Sequence, residues 1–359
     1  MSHPLSQLAT RMTYLSRQLP RMAWYAGHLY VMRRLADEVR RRQSKDTQPH
    51  AQPRPRSNPG IQRRLDADMV ALFADDLANV EAGIYPLPSD HDGSLLTVLK
   101  RSQLFFRDLP DIEQRRKRNG TREVLTEATR GRRPDYYLQN FHFQSGGWLT
   151  DESAERYDTQ VEVLFKGTAN AMRRQALPPL AETFGGHDQR KLRLVDLGCG
   201  TGRFIDFVKQ AWPRLPVIGV DLSEAYIGHA RRHLKRWRRT NLVVAKAEAV
   251  PVADASCDAV TSIFMLHELP PDVRRSVIRE ASRVLKPGGR LILMDSLQRG
   301  DEPDYDAILT RFPQTYHEPY FESYVGEDFR AIARRCGLTH RRDTKAFVSK
   351  VMVFDKDAG

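Results

Sequence analysis

The chain has 359 residues, 40% of them hydrophobic, and a formal net charge of +12. This length suits one large domain with an accessory region, or two domains, and no apolar run approaches the ~20 residues that span a bilayer. The three cysteines, Cys199, Cys257 and Cys336, form no CxxC pair. Their spacing argues against a disulfide framework or a zinc site and favours a reducing, cytoplasmic compartment.

The positive charge is concentrated at the N-terminus. Residues 1–64 contain 13 Lys and Arg against three Asp and Glu, which is +10 of the total +12. Apolar residues recur at helical spacing on both sides of Pro20, so residues 1–42 are predicted to form a basic amphipathic arm interrupted at that proline. The first stripe consists of Leu5, Leu8, Met12, Leu15 and Leu19. Three roles stay open for the arm: docking on the chain's own body, peripheral association with an anionic membrane surface, or organelle targeting.

The next region is predicted to be a linker followed by helices. Residues 43–60 lack large apolar side chains and are rich in Pro and Gln, which is typical of a flexible linker. Residues 61–185 are predicted to form a helical accessory region. Its second helix is expected to stop at Pro110, and the run 115–118, Arg-Arg-Lys-Arg, is interpreted as a solvated helix face.

An aromatic segment stands out within this helical region. Residues 136–150 pack aromatic, His, Asn and Gln side chains around a Gly-Gly pair. The segment is interpreted either as a lid or pocket wall or as a bulky loop at the junction of two lobes. Thr150 or Asp151 is predicted to cap a long helix that continues to about Met172.

After Arg190 short apolar strands alternate with helices. This alternation of strands and helices predicts a doubly wound, Rossmann-like α/β domain over residues 190–359, with a mostly parallel sheet of seven strands and an antiparallel C-terminal hairpin. Residues 190–298 are expected to bind a cofactor. Residues 299–325 are expected to form an insertion that contacts the substrate.

The stretch 194–202, LVDLGCGTG, carries the most information about function. An apolar strand ends in a loop with Gly198, Gly200 and Gly202, and helical spacing follows directly. Glycine is required where a ligand approaches the backbone too closely for a Cβ atom. A turn of this kind at the carboxyl end of the first strand is the ligand site of doubly wound sheets.

The residues around this turn select among its three usual ligands. A P-loop would need Gly-Lys-Ser/Thr, and a dinucleotide site would need GxGxxG, whereas this chain has GxGxG followed by Arg203. Asp196, two residues before the first glycine, suits a cationic amine. Asp221, at the end of the second strand, can accept from both hydroxyls of a ribose. An amine, a ribose and a close backbone approach together indicate S-adenosylmethionine.

Residues from about 190 to 300 resemble the class I S-adenosylmethionine-dependent methyltransferases, of the broad group that includes the ubiquinone/menaquinone C-methyltransferases. The resemblance is carried by VDLGCGTG, VIGVDLS, AEAVPVADASCDAV, SIFMLHEL and RVLKPGGRLILMD, in the family's order. It implies S-adenosylmethionine as the cofactor and methyl transfer as the activity.

The resemblance also implies a set of cofactor-binding residues. Asp196 and the glycines would hold the methionine part, Asp221 the ribose, and Leu222 and the backbone N–H of Ala247 the adenine. The full set is Asp196, Gly198, Cys199, Gly200, Gly202, Asp221, Leu222, Ala247, Glu248 and Phe264. Lys246 departs from the family pattern, because relatives often have there an Asp that accepts from the adenine amino group. Glu248 is a candidate replacement for that Asp.

The acceptor side of the reaction is predicted from composition and position. Methyl transfer from a sulfonium needs mainly in-line alignment of the acceptor, and a base only where the acceptor carries a proton. Candidate bases are His267, His142 and Tyr157. Candidate substrate-contacting residues are Trp148, Tyr316, His317, Glu318 and Tyr320. No cluster of His, Cys and carboxylates has metal-ligand spacing along the chain, so no metal is expected.

These aromatic side chains favour a small hydrophobic or aromatic acceptor of quinone, lipid or secondary-metabolite type. Two alternatives remain. One is a nucleic-acid methyltransferase that uses the basic arm, which is disfavoured because His267-Glu268-Leu269-Pro270 replaces an Asn-Pro-Pro-Tyr-like motif. The other is a non-catalytic module that binds S-adenosylmethionine.

Overall fold

The strands of the C-terminal half form one seven-stranded sheet. The computed structural model describes residues 4–43, 59–90 and 92–358. The strands are β1 (Leu194–Leu197), β2 (Val217–Asp221), β3 (Thr240–Val244), β4 (Cys257–Ile263), β5 (Leu285–Ser296), β6 (Leu338–Ala346) and β7 (Ser349–Lys356). Their order is β3-β2-β1-β4-β5-β7-β6. β1 to β5 pair in parallel, and β7 is antiparallel to both β5 and β6. The predicted doubly wound sheet with an antiparallel hairpin is confirmed.

Helices precede the sheet and cover both of its faces. The described residues form α1 (Pro4–Gln43), α2 (Pro59–Glu81), α3 (Leu95–Arg118), α4 (Asp151–Leu164), α5 (Ala169–Arg174), α6 (Leu177–Phe184), α7 (Arg203–Ala211), α8 (Glu224–His233), α9 (Pro271–Val284), α10 (Asp306–Thr315), α11 (Phe321–Val325) and α12 (Phe329–Arg335). No helix in the described ranges is long and apolar enough to cross a membrane.

Alternate residues of the strands divide the core between the two faces of the sheet. Leu194 and Ile292 face the apolar side chains of α6 and α7. Their neighbours Val195 and Leu291 face those of α9 and α12. All four are fully buried, as expected for parallel strands covered on both sides. The carboxyl ends of β1 and β4 meet where the strand order reverses, which is the usual ligand position in such sheets.

The N-terminal helix differs from the prediction because α1 continues through Pro20. Contacts on both sides of the proline hold the helix against the body. Tyr14 donates to Asp76 of α2 (2.5 Å), and His28 lies within hydrogen-bond distance of Ser102 of α3 (2.8 Å). These tertiary contacts offset the backbone hydrogen bond that a proline removes. Of the three roles left open for the arm, the structure shows docking on the body.

Helix α3 was predicted to stop at Pro110 but extends to Arg118. The following residues explain the extension. Arg115 is 9% exposed, donates to the carboxylate of Glu123 (2.7 Å) and to the backbone oxygen of Phe143 (3.2 Å), and so anchors the last turn. The interpretation of residues 115–118 as a wholly solvated face is therefore wrong at Arg115.

Helix α4 ends at Leu164 rather than near Met172. Lys166 and Gly167 adopt the left-handed conformation, with φ of 54° and 83°, and this conformation terminates a right-handed helix. The carboxylate of Glu162 then accepts from the backbone N–H of Ala169 (3.2 Å) and Asn170 (3.0 Å) at the start of α5. The side chain of Glu162 in α4 thus caps the N-terminus of α5.

The sheet is completed by β3 at one edge, over residues 240–244, and by the C-terminal hairpin of residues 338–346 and 349–356 at the other. Most of the predicted linker, residues 44–58, lies outside the described part of the chain.

A buried ion pair between α2 and α5 provides a test of this packing. The Arg174 guanidinium donates two hydrogen bonds to the Asp76 carboxylate, at 2.8 and 2.7 Å, and both residues are at most 1% exposed. Arg174→Ala leaves a buried carboxylate uncompensated, so we expect a loss of about 3–5 kcal/mol in the free energy of unfolding, measured by urea denaturation. Arg190→Ala removes a solvent-exposed pair with Asp188 and should leave the midpoint unchanged. Equal midpoints for the two variants would contradict this account.

Candidate active site

The glycine turn after β1 folds as the sequence predicts. Gly198, Gly200 and Gly202 all have positive φ, of 69°, 52° and 80°. A Cβ atom on Gly198 would lie 2.5 Å from the sulfur of Met265, and one on Gly202 would lie 2.7 Å from Leu234. Those two glycines are required for packing. A Cβ on Gly200 would meet only Tyr226, at 4.0 Å, so Gly200 faces open space.

Asp221 is fixed directly beside this turn. Its carboxylate accepts from the backbone N–H of Gly200 (2.9 Å) and of Ser223 (2.8 Å). Burial raises the pKa of Asp221 above its usual value, although these N–H groups act in the opposite direction. The end of β2 and the glycine turn therefore form one wall of a depression, which we name the glycine-turn crevice. Gly198, Gly200, Asp221, Leu222 and Ala247 are among its lining residues.

Seven of the ten predicted cofactor-binding residues line the glycine-turn crevice. They are Gly198, Gly200, Asp221, Leu222, Ala247, Glu248 and Phe264. Lys246 also lines it. These lining groups fit S-adenosylmethionine, because the Asp221 carboxylate, which can accept from a ribose diol, lies next to the exposed backbone of the glycine turn.

The other three predicted cofactor residues are not among those that line the crevice. Asp196 accepts from the hydroxyl of Thr261 on β4 (2.7 Å), and burial raises its pKa to about 7. Cys199 is 7% exposed and packs towards Gly219 of β2. Gly202 packs on α8. In this structure the three residues support the glycine turn from behind.

The aromatic segment 136–150 forms the opposite wall of the crevice. Tyr136 donates to Glu248 (2.8 Å), and the backbone oxygen of Trp148 accepts from Ser223 (2.5 Å). The ring of Trp148 meets the rings of Tyr157 and Tyr226 edge-on, at 5.4 and 5.7 Å. The pocket-wall interpretation thus describes its position. The crevice is also lined by four residues that were not predicted as site residues, Tyr136, Tyr137, Phe141 and Tyr226. For the first three, the high density of aromatic residues in segment 136–150 was the signal that could have identified them.

A second, larger cavity adjoins the crevice. This apolar cavity has a volume of about 1140 Å³ and is lined by side chains from α1, α3 and α4, including Leu29, Phe105 and Val161. Trp148 and Tyr157 line both spaces. Arg33 and Leu35 of α1 line the apolar cavity and are exposed, so it reaches the surface there.

The predicted substrate residues separate into two groups. Trp148 and Tyr316 line the apolar cavity. His317 and Tyr320 do not line either space; both bond to the side-chain amide of Gln139, at 2.9 and 2.8 Å. Through these bonds both residues hold segment 136–150 in place. Glu318 is buried in a separate cluster.

That cluster brings together His142, Glu268 and Glu318, which we name the His–Glu cluster. The Nε2 atom of His142 lies 3.0 Å from a carboxylate oxygen of Glu318 and 3.5 Å from one of Glu268. Burial alone would lower the pKa of His142, but the carboxylates of Glu318 and Glu268 raise it to about 10. His142 has a φ of 55°, a left-handed conformation that costs energy in a non-glycine residue and is common at functional sites.

The predicted base His267 is held by a separate carboxylate. Its Nδ1 atom lies 2.5 Å from Asp295, which also accepts from the backbone N–H of Leu266 (2.8 Å). Burial opposes protonation, yet Asp295 raises the pKa of His267 to about 9. Burial also raises the pKa of Tyr157. All three predicted bases therefore hold their protons at neutral pH in this arrangement.

The His–Glu cluster is a grouping of possible metal ligands that was not expected from the sequence. The ligand atoms of His142, Glu268 and Glu318 all lie within 4.8 Å of one another, a separation compatible with a shared metal ion. Spacing along the chain gave no sign of this group, since its members come from segment 136–150, from the end of β4 and from the insertion after β5.

The two turn-type glycines Gly200 and Gly300 provide a matched test of the crevice. Both have positive φ (52° and 83°) and space for a Cβ, but only Gly200 lines the crevice. Alanine at either position costs about 1–2 kcal/mol of conformational strain. Gly200→Ala should additionally weaken S-adenosylhomocysteine binding at least tenfold by calorimetry, while Gly300→Ala should bind as the wild type does. Unchanged affinity in Gly200→Ala would place the ligand elsewhere.

Comparison with known proteins agrees with this geometry. Residues 194–289 match a family model described as a methyltransferase domain. The chain is 34% identical over 151 residues to a ubiquinone/menaquinone biosynthesis C-methyltransferase of Syntrophotalea carbinolica, covering 42% of this chain and 60% of that protein. It is 28% identical to a demethylmenaquinone methyltransferase of Thermotoga maritima, with coverage of 51% and 75%.

A third relative is covered over most of its length. The chain is 30% identical over 163 residues to an O-methyltransferase of Aspergillus nomiae, covering 43% of this chain and 70% of that protein. The segment that matches the family model, residues 194–289, contains the glycine turn and Asp221 described above. The chain therefore belongs to the class I S-adenosylmethionine-dependent methyltransferases.

Proposed function

We propose that this protein transfers the methyl group of S-adenosylmethionine to a small hydrophobic or aromatic acceptor held in the apolar cavity. The observation that carries the proposal is the junction of two spaces of different chemistry. The glycine-turn crevice has Asp221 and exposed backbone, whereas the apolar cavity has aliphatic and aromatic walls. Trp148 and Tyr157 line both, so a cofactor and an acceptor would meet between them.

The residues at this junction supply positioning rather than covalent chemistry. The bound cofactor supplies an electrophilic methyl group. Asp221 and the backbone at Gly200 orient the ribose and the methionine part, while the rings of Trp148 and Tyr157 exclude water and restrict the acceptor to one approach. Alignment of two reactants in this way contributes on the order of 7–11 kcal/mol to a barrier. The aromatic faces also suit a cationic sulfonium.

The acceptor class follows from the cavity walls and from the relatives. Most of the lining surface of the cavity is apolar, with Leu29, Phe105 and Val161 among its side chains, and charged residues such as Arg33 and Lys117 make up part of the remainder. Relatives named for quinone C-methylation and for O-methylation both match this chain. Together these points favour a quinone, lipid or secondary-metabolite type of acceptor over a nucleic acid.

Two identical substitutions on different surfaces test the acceptor assignment. Val161 lines the apolar cavity one helical turn after Tyr157, whereas Val70 of α2 is 68% exposed. Val161→Trp should reduce methyl transfer to a naphthoquinol or a catechol at least tenfold, measured as S-adenosylhomocysteine formation, and should leave cofactor affinity within threefold of the wild type. Val70→Trp should alter neither property. Full activity of Val161→Trp, or transfer to an RNA oligonucleotide in place of both small acceptors, would overturn the assignment.

We further propose that α1 places the protein on an anionic membrane surface. Four residues of the stripe found in the sequence, Leu8, Met12, Leu15 and Leu19, are 46–65% exposed on the docked helix. The surrounding segment carries the excess of Arg and Lys described above. An apolar stripe in a basic helix binds at lipid headgroups. The same helix lines the apolar cavity at Leu29 and Arg33, which gives a membrane-derived acceptor a short route inward.

Vesicle flotation tests this placement. Wild-type protein should float with vesicles containing phosphatidylglycerol and remain behind with phosphatidylcholine alone. Replacing Leu8, Met12, Leu15 and Leu19 together by Ser should abolish flotation without lowering the unfolding temperature, since these side chains are exposed. Equal flotation of both proteins would remove the membrane proposal and leave the proposed methyl transfer standing.

A further inference from the structure

The His–Glu cluster contains one buried and one half-buried carboxylate, Glu318 and Glu268, and both have oxygens without a hydrogen-bond partner. Glu318 is 3% exposed, and neither of its carboxylate oxygens accepts a hydrogen bond; the same holds for the Oε2 atom of Glu268. Removing carboxylates from water without such partners is costly. A group that binds both carboxylates at once would offset this cost.

One protonated histidine offsets the cost only in part. His142 directs a single nitrogen, Nε2, towards both Glu268 and Glu318, at 3.5 and 3.0 Å. One N–H cannot donate fully to two carboxylates, whereas a divalent cation at the same point contacts all three side chains directly.

The spacing of the ligand atoms fits such an ion. Zinc binds His nitrogen and carboxylate oxygen at about 2.0–2.2 Å, so two ligands of a tetrahedral ion lie about 3.3–3.6 Å apart. The separations of 3.0 and 3.5 Å from His142 Nε2 to the two carboxylates lie close to this range. One imidazole with two carboxylates suits Zn²⁺ or Mn²⁺, whereas Mg²⁺ and Ca²⁺ prefer oxygen ligands alone.

A neighbouring histidine is oriented in the way that metal ligands are. Asp295 binds the Nδ1 side of the His267 ring (2.5 Å), which leaves Nε2 directed towards Glu268, 3.7 Å from its Oε1 atom. A carboxylate behind a ligating imidazole is the usual support in metal sites, because it fixes the ring and its tautomer. His267 is thus placed to provide a fourth ligand.

The cluster lies where the two spaces of the proposed active site approach each other. Glu268 lines the glycine-turn crevice, and His142 lines the apolar cavity. We propose that His142, Glu268 and Glu318 bind one divalent transition-metal ion of the Zn²⁺ or Mn²⁺ type, with an oxygen of the acceptor as a further ligand. The ion site stands on the cluster alone; the role of the acceptor rests on the proposed methyl transfer. An ion here would polarise a hydroxyl or carbonyl oxygen of the acceptor.

Metal binding by the full-length protein tests the inference without reference to turnover. After treatment with a chelator, the protein should bind one equivalent of Zn²⁺ or Mn²⁺ by calorimetry, confirmed by elemental analysis after desalting, and Mg²⁺ at least tenfold more weakly. Glu318→Gln should lower the affinity at least tenfold. Glu322→Gln, a nearby exposed residue paired with Arg299, should bind the ion as the wild type does. Glu268→Gln provides a second test where Glu318→Gln fails to fold.

The outcomes separate the ion site from the proposed function. S-adenosylhomocysteine calorimetry on the same samples should give equal affinities for the wild type and Glu318→Gln. Absence of a stoichiometric ion, or equal ion binding by wild type and both Gln variants, overturns the metal site, and the cluster is then an ion pair of a protonated histidine. Ion binding without S-adenosylhomocysteine binding would retain the metal site and overturn the methyltransferase assignment.

Discussion

The position of α4 across the glycine turn depends on one buried carboxylate. Asp158 accepts from the hydroxyl of Thr201 (3.1 Å) and from the guanidinium of Arg203 (3.0 Å), and all three residues are at most 6% exposed. Burial opposes ionisation, but the charge of Arg203 keeps the pKa of Asp158 low. Because Tyr157 adjoins Asp158 and lines both the crevice and the cavity, this contact sets the distance between the two binding spaces.

Further buried arginines extend this connection to the N-terminal helices. Arg21 of α1 pairs with Asp92 (2.7 Å) and with Glu162 of α4 (2.6 Å), and Glu162 also caps α5. Such pairs contribute little net stability relative to apolar packing, but they are costly to break singly. Their directional hydrogen bonds fix the orientation of the helices. The accessory helices are therefore part of the site, since α1 and α4 supply walls of the apolar cavity.

The sheet and the cofactor crevice could be predicted from sequence because their determinants are local. A short run of apolar residues is enough to predict a strand. The glycines between Gly198 and Gly202, together with Asp221, are enough to predict a turn that binds a ligand. Pro20 and Pro110 were expected to end helices but lie inside them, because tertiary contacts such as that of Tyr14 with Asp76 outweigh the loss of one backbone hydrogen bond. The break after Leu164 had one local signal, Gly167, a residue type that commonly ends helices, whereas the left-handed Lys166 beside it gave none.

For the acceptor side, the sequence predicted the types of side chain present but not which of them meet in the fold. His142, Glu268 and Glu318 are far apart in the sequence and meet only after the sheet has brought β4 and β5 together. Each alone is an ordinary polar residue. The candidate metal site follows only from their meeting in the fold, where carboxylate oxygens of Glu268 and Glu318 have no hydrogen-bond partner. The glycine-turn crevice is built largely from turns that follow strands of the parallel sheet. The surroundings of the acceptor come instead from separate parts of the chain, segment 136–150 and the insertion after β5. A pattern shared with relatives therefore identifies the methyl donor, while the methyl acceptor is determined by contacts that this chain makes across its own fold.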